Sequence, residues 1–249
     1  MRTLIDFVLF SYSYAAVNNH LEPILNFVSD SGSYERSAGL FAQCLDLSAF
    51  FLWARYKQLK HYLQVKIPEM IMSNDGQLKY EIGSIRKTLD RLNRINYVSL
   101  LLSFVAIFCM TMVGNFRCNE FFLLHAIGGI LLFYLWPVYT GCMIYMNHHL
   151  YRTFKIESPP LTLILGFIIQ LVSLVFMFIF NAMAMVQFGW NRFFTEQERL
   201  HWTSDEPGYW FHVIGTGSEW VLLISFAVTL LCISKRMKKC NEWNLINLG

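Results

Sequence analysis

The stretch 208–233, GYWFHVIGTGSEWVLLISFAVTLLCI, restricts what this chain can fold into more than any other. It is apolar over more than the ~20 residues that a helix needs to cross a bilayer. Yet Glu219 lies near its middle. An ionised carboxylate in hydrocarbon costs at least ~2.5 kcal/mol, so such a residue normally faces a bundle interior or a watery cavity. His212 precedes it by seven positions, which puts both on one helical face. Gly215 and Gly217 lie between them, where missing side chains allow another helix to come close. The stretch therefore reads as a helix with one packed polar face and one lipid face, and the rest of the chain must supply its partners.

Composition agrees. Of 249 residues 55% are hydrophobic and only 15% are charged, with a mean hydropathy of +0.39. These values belong to the membrane class. The expected architecture is all-α: one polytopic integral membrane domain over 1–249, with six transmembrane helices at about 4–17, 37–56, 95–116, 121–145, 161–186 and 210–233. The first run is short, and a signal peptide competes for it; the polar Tyr12-Ser13-Tyr14 cluster argues for a span. Between spans lie polar loops at 18–36 and 187–209, a long basic loop at 57–94, and a short loop containing His148, His149, Arg152 and Lys155 before Pro159-Pro160.

Charge placement orients these spans. Sixteen Lys and Arg fall on the side that holds both termini and the basic loop, and four (Arg36, Arg117, Arg192 and Arg199) fall on the other. The positive-inside rule then makes both termini cytosolic and the loops at 18–36 and 187–209 luminal or exterior. The net charge of +3 is thus a topology signal and no sign of a nucleic-acid partner. Within the basic loop, Ile82, Ile85, Leu89 and Leu92 recur at helical spacing, while Lys79, Arg86, Lys87, Arg91 and Arg94 take other positions. That pattern suits a helix on the membrane surface with anionic lipids as partners. It equally suits a solvated basic segment whose apolar stripe packs on the bundle.

Under this topology Asp46, His125, His212 and Glu219 all lie in the luminal half, at depths of roughly 5 to 15 Å given ~1.5 Å rise per residue. They can satisfy one another as bundle glue. They can also form a relay or sensor in which the two histidines titrate as the lumen acidifies, His being the side chain most readily charged between pH 5 and 8. A metal site is the third reading, but there is no HExxH, no CxxC and no close His pair on a span. No GxSxG, GxxxxGK[ST] or GxGxxG motif is present either, so neither a catalytic residue nor a cofactor is expected. The six Cys mostly fall in or just after apolar runs, and no structural disulfide is expected.

Three stretches in order carry a resemblance: HLEPILNFVSDSGS before a span ending in ARYK; VGNF followed by LHAIGG; and LHWTSDEPGYWFHVIGTGSEW. Together they resemble the damage-regulated autophagy modulators, the DRAM family, within a larger group with Frag-type and Sfk-type membrane proteins. The family's landmarks fall on Glu22, Pro23, Ser29, Asp30, Gly32, Arg55, Tyr56, Lys57, Asn115, Phe116, His125, Trp202, Tyr209, His212, Glu219 and Trp220. The resemblance implies six spans, a lysosomal or related endomembrane location, and a non-enzymatic role in promoting autophagy, with protein partners unspecified. It also implies more residues before the first span. The larger group offers an alternative, a factor organising phosphoinositide or GPI-anchored lipids at the plasma membrane or Golgi. An intramembrane lipid enzyme is a more distant one.

Overall fold

The computed structural model describes residues 82–116, 121–154 and 158–242, together with 12, 13, 17, 26–28, 30, 56, 57, 59–61 and 64. Nearly all of the expected spans at 4–17 and 37–56, and Asp46 with them, lie outside the described residues. The elements among those described are helices: α1 (Ile82–Asn115), α2 (Phe122–Phe154), α3 (Leu161–Phe188), α4 (Trp190–Phe194), α5 (Glu196–Leu200) and α6 (Tyr209–Glu242). Four of them contain a stretch long and apolar enough to cross a membrane: Ile85–Asn115, Phe122–Thr153, Leu161–Phe188 and Tyr209–Ile233.

Local sequence sets the helix ends. Pro160 leads into α3 in extended conformation, where its missing N–H costs no helical hydrogen bond. Gly189 ends α3 at φ 101°, donating its N–H to Met185 O at 3.1 Å. Gly208 precedes α6 at φ 82°. Pro137 sits inside α2 without ending it, as happens in membrane helices whose neighbours support the backbone.

Helix lengths depart from expectation in three places. The segment from Ile82 is one helix with the span that follows, 34 residues in all. The loop expected around His148 and His149 is helical, because α2 runs on to Phe154. The last helix continues past Ile233 to Glu242. At 1.5 Å per residue each of these helices is about 50 Å long, well beyond the ~30 Å hydrocarbon core. The extensions have a packing reason. Met146 and Leu150 on α2 and Leu92 on α1 are buried in one apolar cluster, with Leu89 packed against it, while Arg86, Lys87, Arg91 and Arg94 stay exposed. Leu89 and Leu92 of that stripe thus have a protein partner. The expected luminal loop at 187–209 likewise contains the short helices α4 and α5.

Among the described residues, the long helices form two antiparallel pairs. In the first, a Cβ on Gly128 of α2 would lie 3.0 Å from Cys109 O and 3.0 Å from Met112 Cβ of α1, so the backbones are in close contact. In the second, α3 runs against α6, with Gly166 opposite Thr229, Asn181 opposite Gly215 and Ala184 opposite Gly208. Gln170 donates to Thr229 Oγ1 at 3.1 Å. Two polar residues of this oily helix, Gln170 and Asn181, are thus among its points of contact with α6. In lipid, where burying apolar surface gives little drive to helix pairing, close backbone packing and such hydrogen bonds hold helices together. Trp136 of α2 stacks on Phe226 of α6 at 3.7 Å and joins the two pairs. The central helix is α6: 56% of its apolar window is buried, against 33% in each of the other three. The outer face of α3 exposes Leu165, Ile168, Val172, Val175, Ile179 and Val186. An apolar belt of that kind is what lipid contact requires and what a water-facing monomer rarely shows.

This packing brings the start of α1, the end of α2, the start of α3 and the end of α6 to one end of the bundle. Most of the described Lys and Arg gather there, and Arg236 donates to Ser158 O at 2.7 Å. The opposite end carries α4, α5 and the loop around them.

The Gly166 contact yields a prediction. A Cβ there would lie 2.9 Å from Thr229 Oγ1. Gly166→Val should therefore push α3 from α6, break the Gln170–Thr229 bond and destabilise the protein by about 1–3 kcal/mol. Thermal unfolding in detergent reads this directly; an unchanged midpoint would show that the helices do not meet there.

Candidate functional site

At the end opposite the basic one, residues 26–28 and 30 lie across α6 and explain its polar face. Phe27 begins a tight turn, its carbonyl accepting Asp30 N–H at 3.0 Å. Four contacts fasten this short segment. Trp220 Nε1 donates to Asn26 O at 3.1 Å. The Val28 backbone donates to the Glu219 carboxylate. The Phe27 ring meets His212 edge-on, with centroids 5.2 Å apart. Asp30 accepts from Arg199 Nη2 at 2.8 Å. Tyr12 adds a fifth support: its hydroxyl accepts Asn26 N–H at 3.1 Å and its ring packs edge-on against Trp220 at 5.1 Å.

Glu219 and His212 do share a face, and segment 26–30 covers it. Glu219 is buried with Oε2 lacking a hydrogen-bond partner. His212 is buried in an aromatic box: Trp202 stacks on it at 4.8 Å, and Phe27 and Phe193 approach edge-on. Neither ring nitrogen of His212 has a hydrogen-bond partner. Phe188 stacks on the other side of Trp202 at 3.7 Å, so a three-ring ladder runs from α3 to α6.

The Asp30–Arg199 pair is the electrostatic centre. Its side chains are 0% and 2% exposed, which puts it among buried ion pairs and apart from the weak surface kind. Arg199 Nη1 also donates to Phe193 O at 3.2 Å, and the guanidinium lies over Phe27. Both charges act electrostatically on His125, His212 and Glu219. His125 itself stands apart from the box. Its Nδ1 lies 2.8 Å from Phe116 O, an arrangement that ties the start of α2 to the end of α1.

Around this core is an exposed rim. Arg192 binds Glu198 and Glu206, at 2.5 and 2.7 Å, and stacks over Phe188. Hydrogen bonding to Arg192, helped by Thr203 N–H, holds the Glu206 carboxyl below its ordinary value, and Glu198 and then Glu206 raise that of Arg192. A carboxylate depressed in the folded state contributes stability above its unfolded value and loses it only as pH falls through its folded value. The rim contact accordingly survives mild acidification.

The structure therefore brings together His212, Glu219, Asp30, Trp202, Tyr209 and Trp220 from the sequence reading. It keeps His125 nearby in another task. Asn115 donates to Thr111 O at the exposed end of α1, and Phe116 packs on Phe121. Glu22, Pro23, Gly32, Asp46 and Lys79 lie outside the described residues. Sequence reasoning missed the role of Arg199, counted only as one of four stray cations, and those of Phe27 and Phe193. Among the described residues, no three His, Cys, Asp or Glu side chains converge as metal ligands would. Among the described residues, Cys109, Cys142 and Cys232 are not disulfide-bonded.

A family model described as the Frag1/DRAM/Sfk1/Cwh43P N-terminal domain matches residues 4–236. The chain is 25% identical over 226 residues to DNA damage-regulated autophagy modulator protein 2 of Bos taurus, covering 88% of this chain and 74% of that one. It is 23% identical over 223 residues to the Homo sapiens protein 2, covering 88% and 74%. To the Homo sapiens DNA damage-regulated autophagy modulator protein 1 it is 24% identical over 222 residues, covering 88% and 79%. No solved structure matches.

Proposed function

The chain belongs to the Frag1/DRAM/Sfk1/Cwh43P family, and from that premise we propose that it is a six-span, non-enzymatic modulator of autophagy in the lysosomal membrane, with both termini cytosolic. The observation that carries this reading is the alignment to proteins named autophagy modulators over 88% of the chain. The gathering of basic residues at one end of the bundle supports the orientation. In that orientation the segment 26–30 and its partners form a cap on the luminal side.

The test is location and flux together. A tagged full chain should coincide with a lysosomal membrane marker, and its removal should lower autophagic flux. A strictly plasma-membrane signal with unchanged flux would contradict the reading and favour lipid organisation at the cell surface.

The cap also supports a role in sensing luminal pH. Protonating His212 would set a second cation beside Arg199, with Asp30 the anion that both would face. Competition for that carboxylate would loosen the cap from α6, the movement a luminal acid signal needs. The sensing reading requires His212 to gain a proton between pH 7 and 4.5 despite its buried aromatic surroundings, which side-chain NMR of the protein in nanodiscs tests; His212→Phe should then abolish any acid-induced exposure of the cap. No titration in that window would end the sensor reading and leave the cap as a structural clasp.

A further inference from the structure

At the basic end, a cavity of about 500 Å³ lies between α1 and the helical residues near 56–64. Tyr56, Lys60 and Gln64 line it at four-residue spacing, one face of a helix. Asn93, Arg94, Asn96, Tyr97 and Val98 line the α1 side. Asn96 Nδ2 donates to Tyr56 O at 3.5 Å and so joins the two walls, and Lys60 lies over the Tyr56 ring on its own wall. The volume is in the range of small-ligand sites. Its lining holds two cations and three side-chain amides, with no Asp or Glu.

The position of the cavity along α1 is as informative as its chemistry. Arg94 is the last basic residue before the apolar run that begins at Ile95. In an inserted helix that boundary lies at headgroup depth. Tyr97 and Val98, just beyond, are 54% and 48% exposed and offer a wall to an acyl chain. The guanidinium, the ammonium and the amides sit on the other side of the boundary. Such a set suits a phosphate: Arg supplies paired N–H donors in one plane and Lys a point charge.

We propose that this cavity binds the phosphorylated headgroup of an anionic phospholipid. The proposal rests on α1 crossing the bilayer as read above, and it makes α1 on one side and Tyr56, Lys60 and Gln64 on the other two jaws that a lipid bridges. A free phosphorylated headgroup has the same polar chemistry but would make no use of Tyr97 and Val98.

The test uses the purified full chain in phosphatidylcholine nanodiscs containing a minor fraction of phosphatidylinositol 4-phosphate, with lipid retention read by native mass spectrometry. Lys60→Gln combined with Arg94→Gln should lower retention about tenfold or more. Arg152→Gln, at the same end but outside the cavity, should leave it unchanged. Arg94→Lys, which keeps the charge but not the planar donors, should retain part of the binding, and an unchanged thermal midpoint of the double variant separates a lost site from a lost fold. Equal retention by wild type and the double variant would overturn the proposal. So would an equal fall in Arg152→Gln, because surface charge alone would then explain binding. Displacement of the lipid by an equal concentration of free inositol phosphate would make the soluble anion the occupant and overturn the lipid assignment. The assay does not depend on which leaflet is cytosolic, so its failure is distinct from a failure of the topology.

Discussion

Arg199→Met should cost the protein about 3–5 kcal/mol, the usual loss when one partner of a buried ion pair is removed and the other is stranded. Asp30 is fully buried, and its Oδ2 already lacks a hydrogen-bond partner. Without the guanidinium the carboxylate would have to take up a proton or carry segment 26–30 away from α6 towards water. Either outcome loosens the cap as a unit, because Asn26, Phe27 and Val28 are held by the same few contacts. The double variant Asp30→Leu with Arg199→Met should recover most of the loss, since apolar pairs of similar volume often replace buried ion pairs at little cost. Thermal unfolding in detergent measures both. A loss below about 1 kcal/mol in the single variant would mean that water reaches the pair and that it behaves as a surface contact.

Trp202→Ala has a comparable expected cost, about 3–5 kcal/mol, in the range for emptying a large aromatic site in a core. Trp202 is the middle ring of the ladder between Phe188 and His212. It also walls the turn at Gly208, where a Cβ would lie 3.2 Å from its ring. Its removal should free the His212 ring as well as lower stability, so the His212 resonances should broaden or shift in the same samples. Trp202→Phe keeps a ring in the stack and should cost distinctly less. A stable Trp202→Ala with an unmoved His212 signal would mean that the aromatic box is not built around this residue.

How much of this was legible in the sequence depends on range. The four described spans are legible because apolar runs of that length have one common use. Glu219 and His212 are legible as a polar face from their spacing of seven, and Gly215 as a point of close approach. The end of α2 was legible in principle. Met143, Met146 and Leu150 continue an apolar stripe, but the polar HHLYR within it reads as a loop until Leu92 is known to face it. Arg199 was not legible. Its partner is 169 residues away, and no periodicity within one helix encodes a contact between two such distant segments. Phe27 and Phe193 are hidden for the same reason: each sits in a polar stretch, and only the packed box gives the rings a purpose.

The account depends most on which side of the membrane each end of the bundle faces. Protease-cleavable reporters placed at Asn74, at Asn191 and after Gly249 in full-length protein test this in sealed lysosomal vesicles. The account predicts cleavage at Asn74 and Gly249 by protease added outside, with Asn191 protected until the membrane is opened. Cleavage of Asn191 from outside together with Gly249 would contradict it. The cap would then face the cytosol, and a sensor of luminal acid would have no site.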